Sequence, residues 1–425
     1  MTTFNKSTIA LHSGHESKLT AGARAVPIYQ TTSYVFNDTD HAADLFALRD
    51  SGFIYTRLNN PTNDILEQRL AALEGGIGAA VFASGTAAIA TTLLTLLKSG
   101  DHIVSSSSLY GGTYNLLNVT LRRFGINTDF VEADEPRNFR HCIKEDTRAI
   151  FLESLGNPKL DIVDIEAVAT IAKDLGIPLI VDNTVPSPAL LNPIKFGADL
   201  VVHSLTKYIG GHGNSLGGVL IDAGTFDWTN GKFPDFTEPS EAYHGMVYSE
   251  AIGEEAFVAK VRLEGLRDLG GALSPFNAFQ ILQGLETLDV RIKRHSENAL
   301  KIAQWLEENP EVAWVNYPGL KSSKYFDLSK KYLPEGQSGI ISFGLKGGYE
   351  RAKKFTDNVG IFSLLANIGD TKSLIIHPAS TTHQQLNEDQ QKSSGVSRDL
   401  IRLSIGLEDA HDLICDIENA INISK

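Results

Sequence analysis

Residues 198–213 read ADLVVHSLTKYIGGHG. An unbroken apolar run ends in Ser204, and Thr206 and Lys207 follow before a cluster of glycine and histidine. Continuous rather than alternating hydrophobicity marks a strand covered on both faces, as in a parallel sheet. Ligands in such sheets collect beyond the carboxyl ends of the strands. By that reading Lys207 stands at a binding edge, although a lysine after a strand is by itself most often a solvated charge.

The neighbouring sequence repeats the pattern. AAVFAS (79–84) predicts a buried strand and the stretch 86–97 a helix. HIVSS, NTDFVEA, RAIFLES, IPLIVDN and GGVLIDA predict further strands, and helices are expected over 115–124 and 164–176. Alternating strands and helices between about residues 79 and 222 predict an α/β domain built on a mostly parallel sheet. Residues 226–250, rich in aromatic residues, Gly and Pro, read as a long loop suited to a lid, a subunit contact or a surface insertion. A helical stretch around 277–309 leads to a smaller domain of helices and short strands (VAWVNY, GIISFGL, SLIIHP). The first sixty residues have little periodicity and predict an extended arm. The expected division is an arm over 1–60, a large domain over 61–288 and a smaller α+β domain over 289–425.

The 425 residues suffice for two domains with substantial cores. A formal net charge of −13 argues against a general nucleic-acid binder. No charged residue lies between 75 and 97, but hydroxyls and a central Ser84-Gly85 make a strand, turn and helix the better reading than a membrane span. The opening MTTFNKSTIALHSGHESK lacks the apolar core of a secretory leader, so a cytoplasmic protein is expected. Two cysteines cannot build a disulfide framework. The pairs His203/His212 and His377/His383 match no zinc spacing, and no metal is expected.

Three strand ends combine into one chemistry. Ser84-Gly85-Thr86 opens a helix, where free N–H groups favour an anion, though taken alone Ser84 reads more readily as a plain cap. Asp182 closes an apolar run, where a carboxylate is costly unless it meets a cation. Lys207 is flanked by the hydroxyls of Ser204 and Thr206. A phosphate cradle, an acid and an amine are what pyridoxal phosphate needs: the amine condenses with the aldehyde, and the acid faces the ring nitrogen. Neither a phosphate loop of the nucleotide-hydrolase type nor a dinucleotide fingerprint is present. A non-catalytic phosphate carrier and a cofactor-free lysine aldolase are the rivals from other classes.

SLTKYIGGHG, VDNT, YGGTYN, ESLGNPKL and HPASTTH together resemble the pyridoxal-phosphate enzymes of cysteine and methionine metabolism. The resemblance covers nearly the whole chain. It implies fold type I, a homotetramer of active-site-sharing dimers, and cofactor held covalently on Lys207. It also implies Asp182 at the ring nitrogen, and Ser84, Gly85, Thr86, Ser204 and Thr206 at the phosphate. Tyr110 would stack on the ring and assist proton transfer, and Asn157 would face its phenolic oxygen. Tyr55 and Arg57, in IYTRLNNPT, would reach the phosphate of a neighbouring subunit. Arg402, with Asn367 and Ser373 near it, would bind the substrate carboxylate. VPIYQTTSYVF, GKFPDFTEP and RLSIGLED resemble members that act on O-acetyl-L-homoserine, replacing acetate by sulfide or methanethiol to give L-homocysteine or methionine. The alternatives are cystathionine γ-synthase, γ-lyase and methionine γ-lyase chemistry. Gly112 stands where methionine γ-lyases carry a reactive cysteine, which disfavours the last.

Overall fold

The computed structural model describes residues 4–382, 384 and 395–425. Seven strands form the larger sheet: β1 (Gly78–Phe82), β2 (His102–Ser106), β3 (Asn127–Val131), β4 (Thr147–Glu153), β5 (Leu179–Asp182), β6 (Leu200–Ser204) and β7 (Gly218–Asp222). Their spatial order is β1-β7-β6-β5-β4-β2-β3. Along each central strand successive side chains enter opposite cores. Val81, Val104, Ile150, Val181 and Val201 face one layer of helices, while Phe82, Ile103, Phe151, Ile180 and Val202 face the other. Both faces being covered explains the unbroken apolar runs.

One strand departs from the parallel pattern. β7 runs antiparallel to both β6 and β1. Residues 205–217 join β6 to β7 without a crossover helix, so the chain turns back beside the strand it has just left. β1, lying against the far side of β7, therefore points the same way as β6, and six carboxyl ends share one edge.

The helices depart from expectation in detail only. The stretch expected as one helix over 115–124 is a short α-turn (Gly111–Asn115), a π-turn (Leu116–Thr120) and a 3₁₀ turn (Leu121–Phe124). Residues 226–250 are not an open loop. Trp228 stacks on Phe257 (centroids 4.8 Å, planes 11° apart) and on Phe236 (4.6 Å). With Phe233 and Tyr248 these rings are buried in the core behind the sheet, so the segment is a packed layer, and a lid is excluded for its aromatic part. The expected helix over 277–309 is two, Pro275–Glu286 and Leu288–Glu308, meeting at Thr287.

The second of these helices leads to the smaller sheet. Its strands are β8 (Val312–Asn316), β9 (Ile340–Leu345), β10 (Ser363–Leu364), β11 (Leu374–Ile376) and β12 (Leu400–Ser404), in the order β10-β11-β12-β9-β8. This sheet has its own apolar cluster around Ile341, Phe343, Phe355, Ile401 and Ile417. The amino-terminal arm holds the short helices Lys6–His12 and Thr39–Phe46, and leaves Leu19, Val35 and Phe46 exposed. No helix among the described residues is long and apolar enough to cross a membrane.

Candidate active site

A pocket of about 340 Å³ opens at the carboxyl edge of the larger sheet, walled on one side by the smaller one. After β1, Ser84 caps the helix Gly85–Leu96, its Oγ accepting the N–H of Ala87 at 3.1 Å. The N–H groups of Gly85 and Thr86 belong to the first turn, where helix geometry offers no internal acceptor. Gly85 lies against Ser204: a Cβ there would sit 2.7 Å from the Ser204 Cβ and 2.9 Å from its Cα. Bare backbone is therefore required where β6 approaches the helix start. Ser204 and Thr206 line the same corner of the pocket. Hydroxyls and unpartnered N–H groups at a helix N-terminus suit a phosphate.

β5 and β4 supply the acids. Asp182 accepts both the N–H of Thr184 (3.0 Å) and its hydroxyl. Thr184 Oγ1 in turn accepts the N–H of Ser204 at 2.8 Å, which ties the end of β5 to the end of β6. Burial raises the pKa of Asp182 from its ordinary value, opposed by the bonds from Thr184 and by His203. Beneath lies a buried network: Glu74 Oε1 meets His203 Nε2 at 2.7 Å and accepts from Asn183 Nδ2 at 3.0 Å. His203 is thus a supporting residue, and His212 lies beside its own turn, Nδ1 2.7 Å from the Gly210 carbonyl. His377 is engaged by Ser380 and the Arg398 carbonyl, and His383 lies outside the described residues. Among the described residues no group of three or more His, Cys, Asp or Glu could hold a metal ion.

Lys207 sits on a tight turn directly after β6. The N–H groups of Gly210 and Gly211 donate to the carbonyls of Leu205 (2.9 Å) and Lys207 (2.7 Å). Arg291, from the helix Leu288–Glu308, clamps the turn by donating to the carbonyls of Tyr208 (2.8 Å) and Ile209 (3.1 Å). Gly211, at φ +73°, leaves the room this guanidinium occupies; a Cβ would lie 2.1 Å from its Nη1. The glycines after the lysine in the opening stretch are thus the means by which the turn closes and is gripped. With Tyr208 and Ile209 packed inward, Lys207 lines the pocket and its Nζ donates to Asn367 Oδ1 at 2.6 Å. Burial, with a smaller push from Arg402, lowers its pKa to about 8.

β12 brings in Arg402, 8% exposed, whose Nη1 donates to Asn157 Oδ1 (3.0 Å) and Nη2 to the Asn367 carbonyl (3.2 Å). Two of its five donors are engaged in this way. A buried guanidinium lining a pocket, its pKa lowered by desolvation to about 10, has the chemistry to pair with a carboxylate. Tyr110 lines the wall after β2, and Asn157 the wall after β4.

One expected residue lies elsewhere. Ser373 is fully buried behind β11; its Oγ donates to Glu408 (2.9 Å) and accepts the Gly406 N–H (2.8 Å), so it braces the second sheet outside the pocket. Tyr55 and Arg57 do not line this chain's own pocket; Tyr55 is 41% exposed and the Arg57 guanidinium lies 5.4 Å from its ring centre. Glu153 and Thr184 are among the pocket residues that escaped the sequence reading. Their signal was the same as that of Asp182, a polar group closing an apolar run.

An amine with a depressed pKa, a buried acid and a phosphate-sized cradle, converging on the edge of a mainly parallel sheet, define a pyridoxal-phosphate-dependent enzyme of fold type I. The chain belongs to the family described as "Cys/Met metabolism PLP-dependent enzyme", whose model matches residues 7–422. It is 56% identical over 427 residues to the O-acetyl-L-homoserine sulfhydrylase of Leptospira meyeri, covering 98% of this chain and 97% of that one. It is 49% identical to the homocysteine synthase of Schizosaccharomyces pombe, covering 98% of each. A Campylobacter jejuni crystal structure, provisionally named O-acetylhomoserine (thiol)-lyase, superposes with a TM-score of 0.96 at 46% identity, over 99% of this chain and 100% of that one. In that protein a lysine carries the cofactor as N'-pyridoxyl-lysine-5'-monophosphate.

Proposed function

We propose that the chain replaces the acetate of O-acetyl-L-homoserine by sulfide, giving L-homocysteine, with methanethiol as a second acceptor giving methionine. The names of its relatives support the substrate, and the convergence of Lys207, Asp182 and Arg402 on one pocket carries the chemistry. The phosphate end of the cofactor suits Ser84, Gly85, Thr86, Ser204 and Thr206, and its ring nitrogen suits Asp182. When bound to Lys207, the cofactor supplies an electron sink for negative charge on the substrate carbon beside its amino group.

The side chains do the rest. Arg402 holds the substrate carboxylate by two parallel bonds, with Asn367 beside it, so orientation is settled before any bond breaks. Lys207 Nζ takes protons from the substrate's α and β carbons and returns them as acetate leaves and sulfide adds. A pKa of about 8 lets one amine both accept and donate near neutral pH. Tyr110, on the wall after β2, would cover the ring and assist proton transfer, and Asn157 would face the ring's oxygen. A second copy would complete the site: the exposed arm, with Tyr55 at 41% exposure and Val35 at 98%, would lie over a partner and bring Arg57 to its phosphate. Two such dimers make a cytoplasmic homotetramer.

Initial rates with sulfide, methanethiol and cysteine as acceptors, on O-acetyl- and O-succinyl-homoserine, test this reading. Homocysteine from the acetyl ester and sulfide is the expected main product. Cystathionine as the main product, or 2-oxobutanoate released without an acceptor, refutes it.

A further inference from the structure

The end of β4 carries a carboxyl to which the chemistry above gives no task. Glu153 lines the pocket, is 5% exposed and lies in register with Asp182 on the next strand. Residues in register on neighbouring strands point to the same face, so two carboxyls share one wall. Glu153 Oε1 accepts the N–H of Tyr110 at 2.6 Å, and the N–H of Asn157 also donates to this carboxyl. Tyr110 stands at the head of the short turn Gly111–Asn115, with 55% of its surface exposed. Its ring lies against Gly112, where a Cβ would come within 2.5 Å of Tyr110 Cε1 and 3.1 Å of Cζ. A side chain at 112 would thus displace the ring, which is the movable partner.

We propose that Glu153 and Gly112 are positioning residues for Tyr110, the first anchoring its backbone through the N–H and the second giving its ring a seat. The inference rests on the reading of Tyr110 as a residue that covers the cofactor ring. Glu153 does this work uncharged. Two buried carboxyls on one wall do not both ionise, and Thr184 directs two donors to Asp182, which makes Asp182 the charged one. Burial, Asp182 and the nearby Asp161 all favour the proton on Glu153, against the N–H bonds from Tyr110 and Asn157. A carboxylic acid keeps a carbonyl oxygen for an N–H, and so does a carboxamide.

The test is the dissociation constant of pyridoxal phosphate from the holoenzyme, together with the visible circular dichroism of the bound cofactor, which reports the asymmetry around its ring. Glu153→Gln retains the acceptor and the neutral charge, and both readouts should stay within about twofold of the parent. Glu153→Ala leaves the Tyr110 N–H without its partner and should weaken binding about tenfold while altering the dichroism. Gly112→Ala, which leaves the buried wall intact, should alter the dichroism in the same sense, and the double variant should be less than additive because both act on one ring. Glu153→Gln as damaging as Glu153→Ala overturns the proposal, as does Gly112→Ala with unchanged dichroism. Tyr110→Ala, run in parallel, separates the two layers. If it changes neither readout, the assignment of Tyr110 falls with everything built on it. If it changes both while Glu153→Ala changes neither, only the positioning role falls.

Discussion

Freed of its cofactor, the protein should expose an amine that titrates close to neutrality. Burial, and secondarily Arg402, bring Lys207 to about 8 from the ordinary 10.5. At pH 7 roughly one amine in ten is then unprotonated, against roughly one in three thousand for a solvated lysine, a gain of about 300-fold in nucleophile. Only the unprotonated amine attacks an aldehyde. The second-order rate of cofactor recapture should therefore rise with pH and level off above about 8. Arg402→Gln removes the cation but leaves the burial. Its inflection should move upward, yet stop short of 10.5, because desolvation is the larger cause. Stopped-flow absorbance on mixing cofactor-free protein with pyridoxal phosphate, over roughly pH 6 to 10, measures both profiles. A parent profile still climbing toward 10.5 would show that the pocket does not desolvate Lys207. An inflection moved downward by Arg402→Gln would show that the guanidinium does not repel it.

Two further outcomes follow from the packing. Gly85→Ala drives a Cβ to 2.7 Å from the Ser204 Cβ, and overpacking of this kind costs roughly 1–3 kcal/mol. Opening the cradle should weaken cofactor binding about ten- to a hundredfold in a calorimetric titration, and unchanged affinity would contradict the close-approach argument. Asp199 accepts the Leu179 N–H (2.9 Å) and the Thr225 hydroxyl (3.4 Å), and burial raises its pKa to about 6 from 3.8. Folding thus favours its protonated form: the associated stability is present below about pH 4 and is lost as pH rises through about 6. Asp199→Asn fits both partners without that loss and should be roughly 1–3 kcal/mol more stable than the parent at pH 8, but not at pH 4, by denaturant midpoint. A difference independent of pH counts against it.

Much of the site was legible because its residues mark the ends of apolar runs. Ser84, Asp182 and Lys207 each follow a buried strand, and strands in an α/β sheet deliver their carboxyl ends to one edge. Arg402 and Tyr110 carry no such local mark; they came from motif resemblance, and neither spacing nor periodicity points to them. Ser373 was misplaced because a hydroxyl beside an apolar strand serves a brace as readily as a ligand, and Glu408 captures it. The aromatic segment over 226–250 looked like a loop because its rings pack on the helices behind the sheet, a contact without local period.

Local order in the chain was enough to specify strands, helices, the binding edge and the amine upon it, because backbone pairing and side-chain alternation act over a few residues. Which groups meet was decided by folding. Lys207 and Asn367 are 160 residues apart, and Asn157 and Arg402 are 245 apart, yet each pair shares a hydrogen bond. The reversal of β7 and the side-by-side carboxyls of Glu153 and Asp182 come from strand order, which the succession of strands along the chain leaves open. The lowered proton affinity of Lys207 belongs to the same class, since desolvation exists only once two sheets have closed around it.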